Sequence, residues 1–288
     1  MSGTVLAHAA VEQAPPVLRD ALLLALVVTA VGYLAGARHL PGTTLSPIRR
    51  AAFVAGLASV AVVTTGPADA AADDRFAAHM AQHMALMLVA APLMAVGGPG
   101  LPLLLALPRR VRRRLTSWRA SVPGRKVRAA LLAPAFAWAA HTIVLWGWHL
   151  PALFEAALHH PLLHGLEHAS FVVAAVLFWT RLVTPWGARV EGGIGALYVF
   201  LTAMPAAALG AVLTLAPEPL YADQAGPGVS ALRDQQQAGV VMWLPADAVY
   251  LAVIVVLVLV WLRRLDRSSP RTSHLPAPVP PALPGAVR

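Results

Sequence analysis

The sequence predicts an all-α polytopic membrane protein: a bundle of seven transmembrane helices with the N-terminus outside and the C-terminus inside. Three observations carry this. Of the 288 residues, 58% are hydrophobic and only 12% charged, about half the charged share of an average soluble domain. The apolar residues gather into runs of about 20, enough at about 1.5 Å per residue to cross a hydrocarbon core of about 30 Å. Lys and Arg collect in alternate connections, the asymmetry that orients a chain in a membrane.

The first run, 18–37, lacks a basic leader and a small-residue cleavage site, so a retained helix is expected rather than a signal peptide. Arg38, Arg49 and Arg50 mark the connection after it as inside. The second run, 47–65, ends at Asp69, Asp73 and Asp74 against Arg75, an outer connection. The third, 75–96, leads to "RRVRRR" (109–114) with Arg119, Arg125, Lys126 and Arg128, inside. The fourth, 127–148, precedes Glu155 and several histidines, outside. The fifth, 161–184, carries Arg181 and Arg189 inward, and the sixth, 192–215, meets Glu218, Asp223 and Asp234 against Arg233 outside. The seventh, 236–262, ends at Arg263, Arg264 and Arg267, inside.

Placed this way, the net charge of +9 is a topology determinant beside lipid headgroups, and no nucleic-acid partner is expected. Residues 1–265 form one membrane domain. The Pro-rich stretch 266–288 is expected to be a disordered cytoplasmic tail with His274 idle. No internal repeat or second soluble domain is visible.

The absence of cysteine excludes a disulfide framework, a thiolate zinc site and an iron–sulfur cluster. Any metal must be held by His, Met, carboxylate or backbone. Eight of the eleven histidines fall in the outer half: His79 and His83 opening the third run, His141 and His149 near the outer end of the fourth, and His159, His160, His164 and His168 at the start of the fifth. His79 and His83 lie four apart, as do His164 and His168, with Glu167 beside them, so each pair shares a helical face and can chelate one ion.

The alternative for each histidine alone is a cap or a hydrogen bond to a neighbouring helix. That reading is kept for His159 and His160. Met80, Met84, Met87 and Met94 form a helical stripe, which is either packing or a thioether ligand set. Gln235, Gly239 and Met242 share a face of the seventh run, with Asp247 beyond Pro245. Imidazole with thioether suits copper, with zinc or haem iron open.

The succession "HMAQHM", "LWGWHLPALFEAAL", "HPLLHGLEHASFVVAAVLFW" and "QQQAGVVMW" resembles the CtaG-type cytochrome c oxidase assembly factors of Gram-positive bacteria, in their single-domain form. The resemblance covers the third to seventh runs. It implies a bacterial plasma-membrane protein that assists maturation of haem–copper oxidases, with copper as the inferred ligand. Oxidase subunits, and a copper donor protein, are the implied partners. By motif the positions carried over are His79, His83, Trp148, His149, His164, Glu167, His168, Gln236, Met242 and Trp243. The candidate metal set is therefore His79, His83, His141, His149, His164, His168, Met80, Met84, Glu167 and Met242, with a non-enzymatic role expected. The rival expectations are a seven-span zinc-dependent membrane hydrolase, a haem b protein with His83 and His168 as axial ligands, and a scaffold whose histidines only bridge helices.

Overall fold

The structure is a computed structural model that describes residues 16–183, 190–221 and 230–268. Among these, all regular structure is helical. In chain order the helices are α1 (Pro16–Ala37), α2 (Pro47–Val63), α3 (Pro67–Asp74), α4 (Phe76–Ala85), a π-helical turn (Leu86–Ala90), α5 (Ala91–Gly97), α6 (Gly100–Ala106), α7 (Arg109–Ala120), α8 (Val122–Leu131), α9 (Pro134–Trp148), α10 (Pro151–His159), α11 (Pro161–Val183), α12 (Gly192–Leu215) and α13 (Ala231–Ser268). Five continuous helical stretches are long and apolar enough to cross a membrane, and two bent pairs, α2–α3 and α8–α9, bring the total to seven. The expected tail lies outside the described residues except for 266–268, which continue α13. Arg189 and Asp223 lie outside them as well.

Proline writes most of the boundaries. It stands in the first turn of α1, α2, α3, α8, α9, α10 and α11, where its missing N–H costs nothing and its fixed φ suits helix entry. Ser46 caps α2 by accepting from the Arg49 N–H. Gly66, at φ 72°, takes a backbone conformation that side chains rarely adopt, and α3 leaves α2 there at 48°.

The fourth span departs from the expected continuous run 127–148. Pro134 disfavours helical backbone at Ala133, so the chain breaks, and α8 and α9 meet at 59°. The break frees the Leu132 carbonyl, and Arg181 donates to it at 2.9 Å. Arg181 is thus a buried structural donor rather than only a charge in an inner connection. The connections expected as loops hold α6, α7 and α10, and the last helix starts at Ala231, earlier than 236, and passes through Pro245 without interruption.

A second proline shapes the third span. The Ala91 N–H bonds to the Leu86 carbonyl, five residues back, so the local register is π. In that register Pro92 would have to donate to the Met87 carbonyl and cannot. Trp179 of α11 supplies the missing donor, its indole N–H reaching that oxygen at 2.9 Å. Trp179→Phe should therefore leave a buried acceptor unpaired and cost about 1–3 kcal/mol, read as a lower thermal midpoint of the protein in detergent.

The main apolar core joins α4, α9, α10, α11, α12 and α13 and includes Met80, Met84, Phe154, Phe171, Phe178, Leu213 and Met242. A smaller core, built on Tyr33 stacked on Phe53 at 4.0 Å, fixes α1 to α2. α13 packs along α12 and α4. Gly239 permits the first of these contacts: a Cβ there would stand 2.7 Å from the Gly210 carbonyl oxygen. Large apolar side chains of α1 and the second half of α13 face outward, as a lipid-facing surface requires.

Candidate metal centre

The site starts with the placement of α4. Asp234, at the head of α13, accepts from the N–H of Phe76 at 2.8 Å and of Ala77 at 3.3 Å. It thus satisfies two of the free donors at the start of α4, a capping role across 158 residues of chain that local sequence does not reveal. Gln82, on the next turn, donates to the Val63 carbonyl at 2.7 Å and to Asp69 at 3.0 Å. α4 is therefore tied to both α13 and the α2–α3 corner, and its remaining polar face points inward. Asp234→Ala should lower stability by about 1 kcal/mol, a typical loss for a helix cap, and a thermal melt checks it.

That inward face carries His79 and His83, 1% and 0% exposed, with ring centres 4.4 Å apart. Across from them, α11 presents His164 and His168, 4.3 Å apart. The two pairs interlock: His79 stacks on His164 at 5.2 Å, and His83 meets His168 edge-on at 5.1 Å. The donor atoms of His79, His164 and His168 all lie within 4.8 Å of one another, and so do those of His79, His83 and Glu167. His83 and the Glu167 carboxylate stand 3.7 Å apart, too far for a hydrogen bond.

What distinguishes the cluster is unmet bonding. His79 Nε2, both ring nitrogens of His83, His164 Nε2, His168 Nε2 and both Glu167 oxygens are buried without a hydrogen-bond partner. Leaving one such atom unsatisfied costs about 1–3 kcal/mol, and each imidazole and the carboxylate can turn a lone pair to a cation, which would satisfy much of this unmet bonding. A groove of about 630 Å³ between α1, α2, α3 and α11 reaches this cluster. His164, His168, Asp69 and Asp73 are among the residues that line it.

The other candidates belong to neither donor group. His141 stacks on Phe178 at 5.5 Å. Met84 and Met242 are buried in the main core. His149 contacts Met80, with Nε2 3.3 Å from the sulfur. His159 and His160 are exposed. Gln235, Gly239 and Met242 do share an inward face of α13. Gln235 accepts from the Leu220 N–H and donates to Leu213 O. Trp148 donates to Ser170 at 2.8 Å, and Ser170 donates to the Glu167 carbonyl, which locks α9 against the Glu167 turn of α11.

Sequence reasoning passed over Tyr221, whose hydroxyl donates to the His149 carbonyl. Burial pushes its phenol up to about 12, so it remains a donor at any physiological pH.

His83 and His168 meet edge to face, with Phe171 packed on His83 at 4.7 Å.

The family model for the cytochrome c oxidase caa3 assembly factor (Caa3_CtaG) matches residues 31–264. The chain belongs to this family. The match runs from α1 into α13 and takes in every side chain of the buried cluster. Comparison with curated proteins and with solved structures gave no match. A caa3 assembly factor serves a cytochrome c oxidase in a membrane, and that agrees with a chain of five to seven candidate spans.

Proposed function

We propose that this assembly factor binds copper in the His79, His83, His164 and His168 cluster, with Glu167 orienting or joining the ligands, and passes the ion to a haem–copper oxidase subunit. The supporting observation is two overlapping sets of three ligand atoms from α4 and α11, His79–His164–His168 and His79–His83–Glu167, each within 4.8 Å and rich in buried atoms without a hydrogen-bond partner. The role is non-catalytic, with copper as cargo. Lone pairs of imidazole, no thiol and a nearby carboxylate form a set that holds copper but lets it go when a competing ligand or a proton takes an imidazole.

The arginine-rich connections support a reading in which the opposite end of the bundle faces the cytoplasm. The cluster then lies toward the outer surface, where a copper donor protein delivers the ion. The test is metal analysis by mass spectrometry of protein purified in detergent, equilibrated with copper and desalted. At least one copper should remain per chain, and a preparation that retains none contradicts the proposal.

A further inference from the structure

The His149–Met80 contact lies beside the imidazole cluster but has a different chemistry. His149 Nδ1 is 2.7 Å from the Leu145 carbonyl oxygen. A carbonyl can only accept, so Nδ1 carries the proton. The ring is 4% exposed, near Phe154 and Phe171, and no carboxylate forms an ion pair with it among the described residues. A charge there would be buried and unpaired, so the ring is neutral and holds one N–H.

Its other nitrogen, Nε2, therefore presents a bare lone pair, and at 3.3 Å it faces the Met80 sulfur, which also offers only lone pairs. No proton stands between them, and the contact is not a hydrogen bond. Both atoms are held in place: Met80 is fully buried, and Tyr221 pins the His149 backbone.

We propose that His149 Nε2 and Met80 Sδ form a second, softer subsite that takes Cu(I), next to the nitrogen-and-oxygen cluster. This rests on the copper reading given above. Two neutral donors, one of them thioether, favour Cu(I) over harder divalent ions. The His83 and His149 ring centres are 6.2 Å apart, so the subsite and the cluster are close enough for an ion to pass between them. The tautomer set by Leu145 makes His149 a ready ligand without loss of a proton.

The test is X-ray absorption at the copper edge on the purified full chain loaded with two equivalents of Cu(I), for wild type, Met80→Leu and Met84→Leu. Leucine nearly conserves methionine's volume, so both variants should fold. Wild type should retain about two coppers with about half a sulfur per copper, Met84→Leu should match it, and Met80→Leu should retain about one copper with a nitrogen-only shell. A nitrogen-only shell in wild type, or sulfur persisting in Met80→Leu, overturns the subsite and leaves the imidazole cluster standing. A wild-type chain that retains no copper overturns both.

Discussion

Replacing His79 and His83 together by alanine should weaken copper binding at the imidazole cluster by at least about a hundredfold, leaving at most the ion of the His149–Met80 subsite, and abolish oxidase maturation in cells that depend on this factor. Loss of even an outer-shell partner typically weakens a metal site by about 10–100-fold, and this change removes two of the four imidazoles. It also empties the α4 side of both donor groups, since each contains His79 and one contains His83. The helix itself should survive. Alanine is the best helix former, and the deleted nitrogens His79 Nε2, His83 Nδ1 and His83 Nε2 made no hydrogen bonds, so circular dichroism should be unchanged. His141→Ala is the internal control, because that ring packs on Phe178 outside the cluster and copper retention should stay at the wild-type level. If the double variant keeps the full wild-type copper complement, the cluster is not the site; if oxidase activity is lost while that full complement stays, the histidine face is a docking surface.

Gly239→Val should be strongly damaging although it lies away from the cluster. A Cβ at Gly239 would lie 2.7 Å from both the Gly210 carbonyl oxygen and the Thr214 amide nitrogen. These are backbone atoms that cannot turn aside. α12 and α13 would have to separate along their whole shared face, and α13 carries Asp234, which caps α4, and Gln235, which fixes the end of α12. Overpacking typically costs about 1–3 kcal/mol and occasionally more, and this position belongs at the upper end. Little folded protein should be recovered from membranes, with a thermal midpoint well below that of wild type. A stable variant with a wild-type melting profile would mean that the α12–α13 contact does not organise the bundle.

The architecture was legible because hydrocarbon thickness sets the length of an apolar run and proline sets its start. The sixth span, 192–215, coincides with α12. The convergence of His79, His83, His164 and His168 was legible for a related reason. Four-residue spacing fixes a helical face, and polar groups in a bilayer turn toward one another rather than toward lipid.

Long-range hydrogen bonds were not legible. Nothing local in the sequence says that Asp234 caps a helix 158 residues earlier, that Trp179 completes the π turn before Pro92, or that Arg181 closes the break at Leu132. Each pairing depends on which helix lies beside which, and periodicity reports only which face is apolar. For the same reason His141 looked equivalent to its neighbours: depth along a span is readable, but the side to which the ring turns is set by packing against α11.

The most direct measurement is anomalous diffraction at the copper edge from crystals of the copper-soaked protein. The account predicts a strong peak within bonding distance of imidazole nitrogens from both α4 and α11. Copper found only at surface histidines such as His159 and His160, with the interior cluster empty, would contradict it.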